Sequence, residues 1–150
     1  MEDNFFAEIA QNRVLMATFL AWFVAQAFKV IVGILREKRF DFRWFIGTGG
    51  MPSSHSATVC ALTTAIGLTY GFYSPLFATT FIFTIIVLFD AQGMRRTVGK
   101  QAEILNKVLD DIYWKGKIQE DRLKELLGHT PIEVFAGMLV GIIIALFVAR

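Results

Sequence analysis

Four apolar stretches, each about long enough to cross a bilayer, decide what this chain can fold into. They run over residues 14–35, 56–73, 75–94 and 131–149. A spanning helix needs about 20 predominantly apolar residues, and all four come close to or exceed that length. In the first, the only clearly polar members are Thr18, Gln26 and Lys29. A soluble helical bundle would carry a polar stripe along every helix, and none of these segments does. With 55% of its 150 residues hydrophobic and a mean hydropathy of +0.52, the chain has more apolar surface than a soluble domain of this size can hide. A soluble oxidoreductase or a nucleic-acid binder finds no support. A cleaved leader is not expected either, because Met1-Glu2-Asp3-Asn4 is acidic and the apolar run after it exceeds a signal-peptide core. The expected fold is an all-α integral membrane bundle of about four transmembrane helices, with residues 1–150 forming one membrane domain. The lone Cys60, inside an apolar run, rules out an internal disulfide or a Cys-based zinc site and reads as packing.

The connections refine this expectation. Only a tight turn, residues 71–75, separates the second and third stretches. Residues 36–55 form a polar, glycine-bearing loop, and residues 95–130 a long charged one. Inside the latter, Ile104, Leu105, Val108, Leu109 and Ile112 recur at helical spacing, as do Leu123, Leu126 and Leu127. Two readings fit: amphipathic helices on the membrane surface, or a helical hairpin capping the bundle. Four spans put both long loops on one face. Arg36, Lys38, Arg39 and Arg43 lie in the first, and Arg95, Arg96, Lys100, Lys107, Lys115, Lys117, Arg122 and Lys124 in the second, so twelve of the 15 basic residues share that face. The excess of positive charge makes it the cytoplasmic one, with both termini outside.

Both histidines sit where a loop of the basic face enters a helix: His55 in Pro52-Ser53-Ser54-His55, and His129 in His129-Thr130-Pro131-Ile132-Glu133. Each helix start presents unpaired N–H groups and a partial positive charge, which suit an anion such as phosphate. Lys29 and Arg36, seven residues apart, project from one face of the first helix. A lysine inside an apolar span is costly, which marks it as a candidate functional residue. Arg95 and Arg96 follow the third stretch, just after Asp90, for which no role is assigned. Together these cations could surround a phosphate with charge-assisted donors.

In these residues the chain resembles a divergent branch of the type 2 phosphatidic acid phosphatase superfamily, which includes lipid phosphatases and vanadium haloperoxidases. The superfamily's first motif, Lys, six residues, Arg-Pro, is matched by Lys29 and Arg36, with Glu37 in place of proline. Its second, Pro-Ser-Gly-His, reads Pro52-Ser53-Ser54-His55. Its third, Ser-Arg, five residues, His, three residues, Asp, keeps its final spacing as His129 and Glu133, with Glu for Asp. The arginine is displaced to Arg95 or Arg96, with no serine before either. The resemblance implies that His129 attacks phosphorus to form a phosphohistidine, oriented by Glu133, while His55 protonates the leaving alkoxide. It implies that Lys29, Arg36, Ser53, Ser54 and Arg95 or Arg96 hold the phosphate oxygens. It implies no cofactor and no metal. The superfamily's usual core has six helices, against the four stretches counted here.

Each residue also has a plainer reading. Thr130-Pro131-Ile132-Glu133 is a capping box with proline at the first helical position. Pro52-Ser53-Ser54 is helix-start punctuation, Arg95 and Arg96 anchor topology, and Lys29 snorkels toward the interface. Lys38, Arg39 and Arg43 read as a lipid-headgroup face. Gly137 and Gly141 form a GxxxG pattern suited to close helix packing or dimerisation. Taken together, the constellation favours a membrane lipid phosphate phosphatase of the cytoplasmic membrane with its active face to the cytoplasm. Its substrate would be a phosphomonoester of the phosphatidylglycerophosphate, phosphatidate or polyprenyl phosphate class, and a homodimer is one expected assembly of so thin a bundle. The rival readings are a non-catalytic lipid-phosphate binder or transporter that kept the cradle, and a structural membrane scaffold.

Overall fold

Small residues recur every fourth position along three of the apolar stretches, and the computed structural model shows what they are for. It describes residues 2–38, 50–92, 99, 101–107, 109 and 130–150. Five helices are defined: α1 (Glu2–Gln11), α2 (Arg13–Glu37), α3 (Ser54–Tyr70), α4 (Pro75–Gln92) and α5 (Pro131–Val148). Among the described residues there is no strand. Three helices are long and apolar enough to cross a membrane: α2 over Arg13–Leu35, α4 and α5. The remaining central helix, α3, has 17 residues, or about 26 Å at 1.5 Å per residue.

The helix ends follow local chemistry. Asn12 breaks the chain between α1 and α2, its side chain accepting from the Leu15 N–H at 3.0 Å. Ser53 caps α3, accepting from the Ser56 N–H. α3 stops at Gly71, whose N–H bonds to the Gly67 carbonyl. The turn predicted over 71–75 is there, with Ser74 donating to the Gly71 carbonyl and accepting from the Phe77 N–H.

α3 is the hub. It packs most extensively on α5, then on α2 and on α4, whereas α4 and α5 barely touch and α2 and α4 make no contact among the described residues. The interior is built from small side chains. Ala17, Ala21 and Ala25 on α2, Ala57, Ala61 and Ala65 on α3, and Gly137, Gly141, Ala145 and Ala149 on or after α5 are all buried. The large apolar residues point the other way: Phe19, Phe23, Phe28, Phe83, Phe135 and Phe147 are exposed. That inversion is what lipid demands. Tails solvate large apolar side chains as well as a core would, so helices associate by close backbone approach at small residues. Gly137 and Gly141 show how close: a Cβ at either would run into the carbonyl oxygen of Ser53 or of Ala57. The GxxxG pattern is thus spent inside the protomer, between α3 and α5.

Polar glue joins α3 to α4. The hydroxyls of Thr63 and Thr84 lie 2.7 Å apart, and they also reach the carbonyls of Thr80 and Val59. Cys60 is a buried free thiol, as expected. At one end of the bundle Arg13 donates to the Arg150 carbonyl at 2.8 Å, so the start of α2 and the chain's last residue lie together. The end of α2 and the starts of α3 and α5 gather at the opposite end. Residues 101–107 are helical, with an ion pair between Glu103 and Lys107 and with Ile104 and Leu105 exposed. The rest of the helical pattern read in the 95–130 loop lies outside the described residues. α1 had no counterpart in the sequence reading. Its apolar residues are too few to register as a span, and its Phe6 and Ile9 are exposed.

Candidate functional site

Each small-residue stripe ends, at the same end of the bundle, in a residue singled out for its chemistry. Continuing Ala17, Ala21, Ala25 by four gives Lys29; stepping back four from Ala57 gives Ser53; stepping back four from Gly137 gives Glu133. Residues four apart lie on one helix face, so the stripe that packs the helices also places these positions at the seams.

Lys29 accordingly points inward. It is only 7% exposed, and its ammonium donates to the Ser54 Oγ at 3.1 Å. Snorkelling to the interface does not describe it. Gly50, with φ of +82°, runs past the lysine stem, about where a Cβ would make van der Waals contact with Lys29 Cγ. Ser53 and Ser54 start α3 with divided duties. The Ser53 side chain is fully buried and accepts from the Ser56 hydroxyl at 3.0 Å as well as from its N–H. The Ser53 N–H donates across the seam to the Glu133 carbonyl at 2.9 Å. Ser54, also buried, faces α2 and Lys29. His55, next along, is exposed in the first turn.

Glu133 opens α5 in the capping box anticipated from Thr130-Pro131-Ile132-Glu133. Its Oε2 accepts from the Thr130 N–H at 3.0 Å, and its own N–H donates to the Thr130 Oγ1. The plainer role of Glu133 is therefore present. The fold thus brings Lys29 to Ser54 and Ser53 to the Glu133 backbone, from three helices, with His55 following Ser54 in the first turn of α3. Arg95, Arg96 and His129 lie outside the described residues, as does the side chain of Arg36, in the last turn of α2 and two turns beyond Lys29. Asp90 is exposed near the end of α4 and takes no part in these contacts. Among the described residues no group of three or more His, Cys, Asp or Glu could hold a metal ion.

The resemblance drawn from the motifs can now be set beside known proteins. A protein of Bacillus subtilis (strain 168), described as "uncharacterized membrane protein YuiD", is 42% identical over 153 residues, covering 95% of this chain and 97% of its own length. No solved structure matches. The model of the divergent PAP2 family matches residues 10–144, which contain all three motif segments and the helices that converge on them. The chain is a membrane protein that belongs to the divergent PAP2 family.

Proposed function

We propose that this protein is a phosphatase of membrane lipid phosphates, working without a metal through a phosphohistidine on His129. The observation that carries the reading is the convergence of the motif segments. The Lys29–Ser54 hydrogen bond ties the first to the second, and the Ser53 N–H to Glu133 carbonyl bond ties the second to the third. A phosphoryl transition state needs positioned donors more than covalent help, and a buried lysine beside a helix start supplies them in a site of low dielectric.

In this reading a lipid phosphomonoester enters from the bilayer with its headgroup among Lys29, Arg36, the start of α3 and Arg95 or Arg96. The imidazole of His129 attacks phosphorus, and the P–O bond to the lipid breaks. His55 gives its proton to the departing alkoxide and releases the lipid alcohol. Water, losing a proton to His55, then cleaves the phosphohistidine to inorganic phosphate. Glu133, four residues after His129, orients the His129 ring. Because Ser53 is committed to capping α3 and bonding α5, its share in the cradle is to shape it. α3 serves as a fourth span: 17 residues is at the short end of the workable range, and α3 connects the two ends of the bundle that α2 and α4 also connect. The site faces the cytoplasm, by the charge of the loops around it, and residues 1–150 act as one membrane domain. A homodimer would use a face other than Gly137 and Gly141.

The test is phosphate release by the detergent-solubilised protein from phosphatidylglycerophosphate, phosphatidate and a polyprenyl phosphate, with chelator present. Release that persists in chelator and vanishes in His129→Ala is the expected result, and the lipid that supports it identifies the class. Absence of release from every lipid, in wild type and variant alike, would replace this reading with that of a lipid-phosphate binder or transporter.

A further inference from the structure

The second motif of the superfamily carries glycine where this chain has Ser54, and Ser54 is a hydrogen-bond partner of the buried Lys29 ammonium. We propose that Ser54 is a positioning residue: its hydroxyl holds Lys29 over the anion site. The proposal rests on the reading of this end of the bundle as a phosphate cradle and names a part of it that the motif comparison alone would score as a loss.

The physical argument starts with the lysine. An ammonium is a compact point charge on a flexible four-carbon stem, with three donors and no built-in geometry. Left to itself such a stem samples many rotamers, and an anion that binds it must meet the cost of ordering it. Lys29 cannot find its order from water, because it is buried on the seam-facing stripe of α2. A buried charge needs hydrogen-bond acceptors nearby. Backbone N–H groups at a helix start are donors and offer it none, and a glycine at position 54 would add nothing. A serine hydroxyl in the first turn of α3 supplies an acceptor, at 3.1 Å, on an element that cannot shift. α3 is locked there by the Ser53 cap, by the bond from Ser53 to Glu133 and by the close approach of Gly137. Ser54 is itself 6% exposed, so water competes little for its hydroxyl. With one N–H held by Ser54, the ammonium is fixed beside the α3 start, where its charge adds to the partial positive charge of the helix end.

The experiment is a double-substitution cycle on the full-length protein in detergent, reading the dissociation constant of inorganic orthovanadate, an oxyanion shaped like phosphate. Wild type, Ser54→Ala, Lys29→Met and the double variant are compared, with Ser54→Gly, the motif's own residue, as a second probe should Ser54→Ala not fold. Loss of a hydrogen bond to a charged group predicts about tenfold weaker vanadate binding for Ser54→Ala when Lys29 is present. In the Lys29→Met background the same change should alter binding less than about twofold, since independent effects would add and coupled ones do not. Equal losses in both backgrounds would make Ser54 merely a packing residue and overturn the proposal, as would a wild type that binds no vanadate. Phosphate release is measured on the same samples. A protein that shows the coupled vanadate losses but releases no phosphate would retire the phosphatase reading while leaving the role of Ser54 standing.

Discussion

At the scale of the residue, Lys29 shows how a bilayer protein handles a charge it cannot leave to lipid. The side chain is turned into the seam by the same four-residue repeat that places Ala17, Ala21 and Ala25, and it meets a hydroxyl there. If its charge serves the phosphate, Lys29→Met should lower kcat/KM for lipid phosphate release about 100-fold, the range seen when one preorganised donor is lost. A drop under about threefold, with helix content unchanged by circular dichroism, would remove Lys29 from the cradle. The Thr63–Thr84 pair makes the contrasting case of a buried polar contact with no chemistry to do. Thr63→Val should cost about 1 kcal/mol of stability, as interhelical hydrogen bonds in membranes do, and leave kcat as it was. Unfolding in mixed micelles together with the same release assay checks both halves.

At the scale of the element, Glu133 and the glycines of α5 separate structure from chemistry. Glutamine can complete a capping box as well as glutamate, so Glu133→Gln keeps the hydrogen bond from the Thr130 N–H and removes only the charge. Thermal stability should therefore hold within about 0.5 kcal/mol, while kcat should fall at least tenfold if, as proposed, Glu133 steadies the His129 imidazolium. Unchanged kcat would reduce Glu133 to its cap. Gly137→Ala and Gly141→Ala each push a methyl into backbone rather than into a yielding side chain, and each should destabilise the fold by about 1–3 kcal/mol. Gly137, against Ser53, should cost activity beyond what stability explains, and Gly141, one turn further from the site, should not. Matching losses of activity in the two variants would show that the α3–α5 seam acts only as scaffold.

At the scale of the whole molecule, the arrangement predicts a sidedness that reagents can read. Met51 and Tyr73 bracket α3 and both are exposed. In a Cys60→Ala background, single cysteines at Met51 and Tyr73 should react with a membrane-impermeant thiol reagent from opposite sides of sealed vesicles. Phe6 and Arg150 should label with Tyr73, because α2 begins and the chain ends at one end of the bundle. Labelling of Met51 and Tyr73 from the same side would mean that α3 does not cross.

What the sequence determined by itself was whatever a short window can express. Hydrophobic length marked out helices over 14–35, 56–73, 75–94 and 131–149, which emerged as Arg13–Glu37, Ser54–Tyr70, Pro75–Gln92 and Pro131–Val148. Local hydrogen-bond chemistry announced the turn at 71–75 and the capping box of Thr130 and Glu133. Three motif segments in order announced the divergent PAP2 family. The GxxxG pair of Gly137 and Gly141 is one part of a wider signal, the four-residue spacing of Ala17, Ala21 and Ala25, of Ala57, Ala61 and Ala65, and of Gly137, Gly141 and Ala145, which names the buried face of each helix. Only the tertiary structure could decide that these stripes meet one another and that their site-end members are Lys29, Ser53 and Glu133. It also decided that the Lys29 ammonium rests on Ser54 and that the GxxxG pair closes the α3–α5 seam rather than a dimer. The reason is physical. Helix formation is set by residues a few positions apart, whereas the choice of neighbour in a bilayer rests on backbone approach and hydrogen bonds between segments far apart in the chain, which no single stretch encodes.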